Sequence, residues 1–456
     1  MKNHELSTDS NLLEYINDFE NAGYVCKFAN SKSGFILGNP HCELFCGLPD
    51  HALSIRKISK KTFTKTWHPK SQFECEKMRS VVISALSTKT PSYLQTFSYT
   101  IDENIKHITD LFLGSDHIFI ENIFEHVREI LIDIAVSHCY GESSKNNPEF
   151  MNSILQLLKE ILTYGEKSIN DLLKFRNSDY DKAKMILGDF VRKGEFQKIN
   201  ENNTNQRDCL VNFILQEKGK GSISDDIFYS AIPEYVYLFV VLNGNAISNF
   251  LIDISLDPQV FEKLEAEQRN IISENGKKIT TECLDMMVYL DAAIIESIRL
   301  SNNKMSIRES TAAIFLPNGV LMPRNSIVQF NCLSHNRSNE IYRNHPHYYI
   351  PERHFSLGTK FDVTSKTNMV WGLGRVCPYQ NFCARFIKLF GASFIRNYEI
   401  SQGETNQAIS HDGDSIPTGY WFKGVGEHFI LSRISVRTTR MPFINRPVSS
   451  SFMYGE

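Results

Sequence analysis

Hydrophobic residues recur at helical spacing through most of the chain, from about residue 77 to residue 272. Side chains three or four positions apart share one face of a helix, so this spacing predicts a series of amphipathic helices. The longest uninterrupted apolar run covers residues 235–242. It is much shorter than the roughly 20 apolar residues that a membrane helix needs, so we expect a buried helix here and no membrane anchor.

Helix boundaries are clearest in the second half of the chain. Asp257 stands directly before Pro258, which predicts a helix capped by the aspartate with proline at its first position. We expect a further helix to open at Thr281 and to carry residues 286–300. Another helix is predicted over residues 381–397, with a strand-containing tail behind it.

Two stretches lack helical spacing. Residues 28–53 are rich in glycine, phenylalanine and cysteine, and the chain after residue 306 contains Pro-Asn-Gly at 317–319 and Pro-Arg-Asn at 323–325. Both patterns predict short strands and turns, which places the β-rich portions near residues 28–60 and 306–360. Since no repeat or linker divides the chain, we predict one mainly α-helical domain over residues 1–456 with small β-sheets.

Composition excludes several classes of protein. The 456 residues are 42% hydrophobic and 22% charged with a net charge of −3, which argues against a nucleic-acid partner because such proteins carry a basic excess. Ten cysteines in this length are too dilute for a secreted disulfide scaffold. The acidic start of the chain does not resemble a signal peptide. We therefore predict a soluble, monomeric protein of the cytoplasm with reduced thiols.

The sequence WGLGRVCP at residues 371–378 contains candidate metal chemistry. Two glycines allow the backbone to approach a neighbour closely, and Cys377 comes just ahead of a predicted helix. Backbone N–H groups and the helix dipole stabilise a thiolate at such a position, and a thiolate suits iron or another soft metal. The alternative is a buried cysteine beside a glycine turn. Zinc is a poor fit, because Cys383 lacks a paired second set of ligands.

Three charged residues suggest a buried network. Glu296 and Arg299 share one face of a predicted helix that is otherwise largely apolar, so their charges need buried partners. Arg353, within Pro-Glu-Arg-His-Phe at 351–355, is placed to complete the network. The alternative for Glu296 and Arg299 is an ordinary ion pair on the surface.

The order of these motifs resembles the cytochrome P450 superfamily. Glu-x-x-Arg at 296–299 is followed by Pro-Glu-Arg-x-Phe at 351–355 and by the aromatic-Gly-x-Gly loop that ends in Cys-Pro. The resemblance is continuous from about residue 224 onward. It implies the fold of that superfamily, mainly α, with a large helical part that encloses haem b and a small β-sheet part. The Glu296, Arg299 and Arg353 network would then be structural.

The resemblance also implies how the haem is held. Cys377 would be the axial thiolate ligand of the iron. Three arginines fall where the family keeps cations for the haem propionates, namely Arg79, Arg308 and Arg375. For Arg79 the alternative is a solvated position on a helix.

The chain departs from the family pattern around the cysteine. Only Arg375 and Val376 separate the second glycine from Cys377, whereas the family usually has three residues there. Tyr379 stands where the family prefers glycine, and Trp371 replaces the commoner phenylalanine. Cys75 stands where a tryptophan on the propionate side is usual. The resemblance is therefore to an atypical member.

The larger departure is in the central helix, near residues 238–250. The family usually carries an acid and a threonine there, over the distal face of the haem, but this chain reads VLNGNA at 241–246. Asn243 and Asn245 are the candidate distal residues, since an amide donates hydrogen bonds although it relays protons poorly. Their alternative role is to satisfy an irregular helix, and the sequence does not distinguish the two.

These features predict a haem-thiolate monooxygenase, an oxidoreductase that oxidises a small organic substrate with dioxygen. Its electrons would come from a separate ferredoxin, flavodoxin or reductase. Because the distal acid and threonine are missing, the alternative is a haem-thiolate isomerase, lyase or coupling enzyme that does not activate oxygen in the standard way. A minor alternative is a non-catalytic haem-binding protein.

Overall fold

A computed structural model describes residues 3–4, 20, 25–28, 34–55, 57, 72–110, 117–120, 122–165, 178–192, 209–218, 225–301, 305–374, 376–402, 408–409, 415–416 and 420–424. The helices of these residues, numbered in chain order, are α1 Cys42–Gly47, α2 Gln72–Asp110, α3 Ile123–Tyr140, α4 Pro148–Gly165, α5 Ser178–Arg192, α6 Leu210–Lys218, α7 Asp225–Leu256, α8 Pro258–Asn275, α9 Thr281–Met286, α10 Val288–Ser301, α11 Cys332–Asn336, α12 Asn339–Tyr342, α13 Arg353–Ser356 and α14 Gln380–Asn397.

The strands are short and lie at both ends and in the middle of the described chain. They are β1 Asn3–His4, β2 Val25–Phe28, β3 Gly34–Leu37, β4 Leu53–Ser54, β5 His117–Ile120, β6 Met305–Ser310, β7 Ile314–Phe315, β8 Leu321–Met322, β9 Ile327–Asn331, β10 Tyr398–Gln402, β11 Ala408–Ile409, β12 Ser415–Ile416 and β13 Tyr420–Gly424. The mainly α-helical architecture with small sheets is therefore confirmed.

Helix α7 runs through the middle of the helical part and packs against α3, α5, α10 and α14. A helix that is apolar on every side is buried among other elements, and Val240, Val241 and Phe250 are at most 1% exposed. Tyr235–Leu256 is long and apolar enough to cross a membrane, and 67% of it is buried inside the protein. The apolar run of residues 235–242 thus lies within a longer apolar helix, and the expectation of a buried helix there is confirmed.

The largest sheet joins the two β-rich portions of the sequence. Its described strands follow the order β1-β2-β3-β9-β6-β4, with β3 parallel to β9 and β6 antiparallel to β9. In that register Arg308 of β6 pairs with Val328 of β9. Phe35 and Phe330 from this sheet pack with Phe45 of α1 in a buried apolar cluster. The sheet thus holds α1 close to Arg308.

Helix ends follow the sequence closely where the signal is local. The Asp257 side chain accepts hydrogen bonds from the N–H groups of Gln259 and Val260, both at 3.1 Å, and Pro258 is the first residue of α8. Helix α14 begins one residue before the predicted start. The helix expected from Thr281 to residue 300 is instead two helices, α9 and α10, with Met287 between them.

Strands alone do not account for the β-rich portions. Residues 42–47 are helical, because Cys42 and Phe45 fall on one face and are buried. The later portion contains the short helices α11, α12 and α13 as well as strands. Conversely, β5 interrupts the region that was predicted to be helical and pairs with β13. Pairing between segments so distant along the chain leaves no local pattern in the sequence.

Candidate active site

The loop before α14 makes a tight turn that depends on its two glycines. Gly372 and Gly374 have φ angles of 120° and 74°, which other residues rarely adopt. A Cβ atom on Gly374 would lie 2.7 Å from the Cα of Cys46 and 2.8 Å from Nη2 of Arg308. The loop therefore approaches α1 and β6 as closely as only glycine permits.

Side-chain hydrogen bonds fix the other end of this loop. The buried Asn368 amide donates to three backbone carbonyls between residues 360 and 363, at 2.8 to 3.0 Å. The indole N–H of Trp371 donates to the carbonyl of Phe361. The N–H of Cys377 then donates to the carbonyl of Trp371 at 2.6 Å. Trp371, noted in the sequence only as a departure, thus anchors the loop that carries the cysteine.

Cys377 stands three residues before α14 and is half-buried. Burial raises the pKa of its thiol, and a hydrogen bond from the backbone N–H of Tyr379 opposes that rise. The sequence predicted a thiolate stabilised by backbone N–H groups. The N–H group is present, but in the absence of a metal burial outweighs its effect on the thiol pKa.

Arg308 reaches the cysteine loop from β6 and is only 1% exposed. Its guanidinium donates to the carbonyl of Phe45 and, at 2.6 Å, to the carbonyl of Leu373. The same group lies over the Phe45 ring, 4.3 Å from the centroid, where the ring face favours a cation. A buried positive charge therefore lies beside the glycine turn.

A second predicted cation also lies near the cysteine segment. Arg79, on α2, is half-buried. Its positive charge opposes the effect of burial, which raises the pKa of the Tyr379 hydroxyl. Arg79 and the segment after Cys377 are thus neighbours. Arg375 lies outside the described residues, and the side chain of Cys75 does too.

The three residues of the expected ionic network meet at a buried carboxylate. Arg299 donates two hydrogen bonds of 2.7 Å to Glu296, and Arg353 donates one of 2.8 Å. His354, to which the sequence assigned no role, places Nε2 at 2.8 Å from the same carboxylate. Burial raises the pKa of Glu296, but Arg299 and His354 outweigh it and hold this pKa well below its ordinary value.

The two arginines of the network also bind backbone carbonyls. Arg299 donates to the carbonyls of Asn336, Pro346 and Tyr348, and Arg353 donates to carbonyls between residues 342 and 348. All these carbonyls belong to the segment between β9 and the cysteine loop. The network therefore positions backbone, as expected of a structural rather than a reacting group.

One face of α7 packs against α14, the helix that follows Cys377. Tyr235 lies edge-on to Tyr379, with ring centroids 6.1 Å apart, and the Phe239 ring lies 4.7 Å from that of Phe386 on α14. Asn243, one further turn along, hydrogen-bonds the thiol of Cys383 and donates to the Phe239 carbonyl at 2.9 Å. Asn243 is therefore on the face of α7 that looks toward the cysteine segment.

Asn245 lies on the other side of α7. Its side-chain carbonyl accepts a hydrogen bond from Arg128 of α3 at 3.4 Å. A Cβ atom on the preceding Gly244 would lie 3.2 Å from the side chain of Leu131, also on α3. The structure thus separates the two asparagines that the sequence left equivalent, and it places only Asn243 toward α14.

An aromatic cluster between α2, α3, α7 and α14 was not found from the sequence. At its centre lies His138, whose ring is 4.4 Å from Tyr93, 5.0 Å from Phe97 and 5.8 Å from Phe382, between centroids. Burial lowers the pKa of His138 to about 3. The imidazole is therefore neutral and packs as an aromatic ring. Only the three-dimensional arrangement reveals it, because a lone histidine carries no spacing signal.

The residues around Cys377 fit a haem with a thiolate ligand. A single half-buried cysteine just ahead of a helix can provide the one thiolate ligand that such a haem iron requires. The same loop contains the glycine turn, where Arg308 donates to the carbonyl of Leu373. Within the part of the chain that the structure describes, no group of three or more His, Cys, Asp or Glu side chains could hold a metal ion. A zinc site at Cys377 and Cys383 has no third ligand there.

Comparisons with known proteins agree on one family. The sequence model of the family described as cytochrome P450 matches residues 49–418. Tabersonine 16-hydroxylase 1 of Catharanthus roseus is 22% identical over 390 residues, which are 79% of this chain and 74% of that protein. (+)-Menthofuran synthase of Mentha piperita is 24% identical over 50% of this chain and 46% of its own length.

Among solved structures, the retinoic acid bound cyanobacterial CYP120A1 has the same fold. It superposes with a TM-score of 0.66 at 15% identity, over 90% of this chain and 93% of that protein. The two curated relatives differ in coverage, and the second alignment spans less than half of the relative.

Proposed function

The chain belongs to the cytochrome P450 family, so haem b is its cofactor, and from this premise we propose that Cys377 provides the axial thiolate. Family membership makes the chain a haem-thiolate oxidoreductase of the monooxygenase type. The observation that carries the assignment of Cys377 is its place behind the glycine turn, where the backbone N–H of Tyr379 donates to the thiol. When bound, the haem supplies dioxygen activation, which a thiolate ligand favours by pushing electron density onto the iron.

The protein's own part is to hold and orient this group. The N–H of Tyr379 stabilises the thiolate, and Asn368 and Trp371 keep the loop closed around it. Arg308 supplies a buried cation at the glycine turn, suited to a haem propionate. Arg79 is the second propionate cation in this proposal. Arg375 is the third and rests on its position in the sequence alone.

The thiolate assignment has a direct spectroscopic test. The reduced protein with carbon monoxide should show the strongly red-shifted Soret band of thiolate-ligated haem, and Cys377→Ala should abolish it. Cys383→Ala is the matched control, since it removes a second half-buried thiol, six residues further along the chain, and should keep the band. A band that persists in Cys377→Ala, or that vanishes only in Cys383→Ala, would show that the ligand is wrongly assigned.

We propose that the substrate is a small organic molecule and that electrons come from separate redox proteins. Members of this family generally act on small molecules and take electrons from such partners. The two curated relatives named above are called a hydroxylase and a synthase, which supports oxidation of carbon without indicating a substrate. Cytoplasmic localisation, a soluble character and a monomeric state stay predictions from the sequence.

The source of the oxygen atom in the product distinguishes a monooxygenase from an isomerase, lyase or coupling enzyme. Compounds that shift the ferric spectrum should first be selected as substrates. With NAD(P)H and surrogate redox proteins under labelled dioxygen, the product should then contain the label. Conversion of such a compound without reductant would instead establish the isomerase, lyase or coupling chemistry that the altered central helix left open.

A further inference from the structure

Two further thiols lie on α1, next to the loop that leads to Cys377. Cys42 and Cys46 are four positions apart and so share one face of this helix. Their sulfur atoms are 3.9 Å apart and hydrogen-bonded to each other. Cys42 is only 5% exposed, whereas Cys46 is half-buried. Cys46 is thus the more exposed of the two residues.

The surroundings of this pair favour a thiolate at one of the two sulfur atoms. The hydrogen bond from Cys42 lowers the pKa of Cys46, and the positive charges of Arg308 and Lys366 act in the same direction against burial. The same hydrogen bond, together with burial, raises the pKa of Cys42. The greater exposure of Cys46 points the same way, so Cys46 is favoured as the nucleophile and Cys42 as the second thiol of a reactive pair.

We propose that Cys42 and Cys46 form a redox-active dithiol that low-molecular-weight disulfides oxidise reversibly to an intrahelical disulfide. The Cys46 thiolate attacks one sulfur of the small disulfide, and the first small thiol leaves. The Cys42 thiol then loses its proton and attacks the Sγ of Cys46, which expels the second small thiol. The two protons of the protein thiols end on the two released thiols, so the protein loses two electrons and the small disulfide gains them.

Closure of this disulfide must distort α1. The two sulfur atoms have to move from 3.9 Å to about 2.05 Å, and the Cβ atoms, about 5–6 Å apart in a regular helix, must approach about 3.8 Å. The helix is only six residues long, so few hydrogen bonds resist the change. A strained disulfide is easily reduced, and the bond should therefore be reversible.

The two cysteines lie next to the loop that leads to Cys377. The Cα of Cys46 would lie 2.7 Å from a Cβ on Gly374, and Arg308 donates to the carbonyl of Phe45, between the two cysteines. A distortion of α1 is thus adjacent to the loop that leads to Cys377. The thiol chemistry itself involves no haem, and the mass of the peptide that contains both cysteines reports it independently of enzyme activity.

Peptide mapping of the haem-loaded protein tests the proposal. The reduced protein is treated with oxidised glutathione, its remaining thiols are blocked with N-ethylmaleimide, and it is digested with trypsin without reductant. Trypsin releases residues 33–56, which contain only these two cysteines. This peptide should be two hydrogens lighter than the dithiol form and carry no maleimide, and treatment with dithiothreitol before blocking should restore two labels.

Two variants test the assigned roles. In Cys42→Ser the second step is lost, so one glutathione should remain attached to Cys46 in this peptide. In Cys46→Ser the nucleophile is lost, so residues 33–56 should carry no glutathione. Retention of the thiolate-haem band verifies that each variant is folded, since neither substitution touches Cys377.

Several outcomes would overturn the proposal. Two maleimide labels on residues 33–56 after oxidation would show that the pair does not react. Cys332 is a third buried thiol near Cys42, and a disulfide between residues 33–56 and residues 325–337 would make it the true partner. Glutathione on Cys42 in Cys46→Ser would reverse the assigned roles. The wild-type map alone decides the proposal if a variant fails to fold.

Discussion

The two asparagines of α7 show how strongly a residue's role depends on the phase of its helix. A helix turns by about 100° per residue, so positions two apart point in directions about 200° apart. Asn243 follows Tyr235 and Phe239 at four-residue intervals and contacts Cys383 of α14. Asn245 is bound to Arg128 of α3 instead. Of the two asparagines, only Asn243 lies on the face of α7 that packs against α14.

This difference can be measured without a substrate. We expect Asn243→Leu to raise the C–O stretching frequency of carbon monoxide on the reduced haem. Leucine is nearly the same size as asparagine but lacks the polar amide, whose N–H groups lower this frequency. Carbon monoxide affinity should fall by up to about tenfold, since one hydrogen bond contributes about 0.5–1.5 kcal/mol. Asn245→Leu is the matched control and should leave the frequency unchanged. Equal shifts in the two variants would contradict the assignment of Asn243.

Among single residues, motif order predicted roles for Cys377 and Arg308, but the direction of a side chain could not be predicted from the sequence. His354 directly follows Arg353 in the chain, and nothing in that adjacency indicates that its ring reaches Glu296. The four-residue helix α13 turns both side chains toward one carboxylate. Likewise, the sequence predicted a stabilised thiolate at Cys377, whereas the extent of burial, which raises its pKa, is set by the folded chain.

At the scale of elements, α8 is a helix whose start is encoded by its own first residues. Asp257 accepts two backbone hydrogen bonds and Pro258 needs none. We predict that Asp257→Ala lowers the free energy of unfolding by about 1 kcal/mol, the usual contribution of such a cap. Asp257→Asn should lose much less, because asparagine caps as well as aspartate does. Urea unfolding of the haem-loaded protein measures both, and equal losses would argue against the cap.

Other elements depend on partners far along the chain, and the sequence missed them for that reason. Strand β5 is a strand because β13 pairs with it. The break at Met287 is stabilised by Glu267 of α8, whose carboxylate accepts the N–H groups of Tyr289 and Leu290 at 2.6 and 3.1 Å. Such a cap from another helix replaces the local capping residue that sequence rules look for. Local signals therefore predicted the start of α8 but not the division between α9 and α10.

At the scale of the whole molecule, the network at Glu296 connects the helical part to the segment that leads into the cysteine loop. Glu296 and Arg299 lie on α10, whereas Arg353 and His354 lie on α13. Because Glu296 is 0% exposed, its partners are not replaced by water if it is lost. Removing one member of a buried ionic group leaves an uncompensated charge, which costs about 3–5 kcal/mol.

We therefore predict that Glu296→Gln lowers the free energy of unfolding by about 3–5 kcal/mol near neutral pH. Arg192→Gln is the control, because its ion pair with Asp189 is exposed, and we expect it to lose at most about 1 kcal/mol. Urea unfolding at pH 7 compares the two variants. A similarly small loss in both would show that the network at Glu296 contributes little to the stability of the fold.

The stabilities of the wild type and of Glu296→Gln should respond differently to acid. The pKa of Glu296 is depressed in the folded protein, so its contribution is complete above its unfolded pKa of about 4.3 and is lost as the pH falls toward the folded value. Glu296→Gln cannot lose this contribution, so its deficit relative to the wild type should shrink below about pH 4. Burial raises the pKa of Glu267 and of Asp291, which acts in the opposite direction. Both groups are present in the wild type and in Glu296→Gln, so their effects on stability cancel in the difference. A deficit that stays constant from pH 7 to pH 3 would therefore mean that the pKa of Glu296 is not depressed.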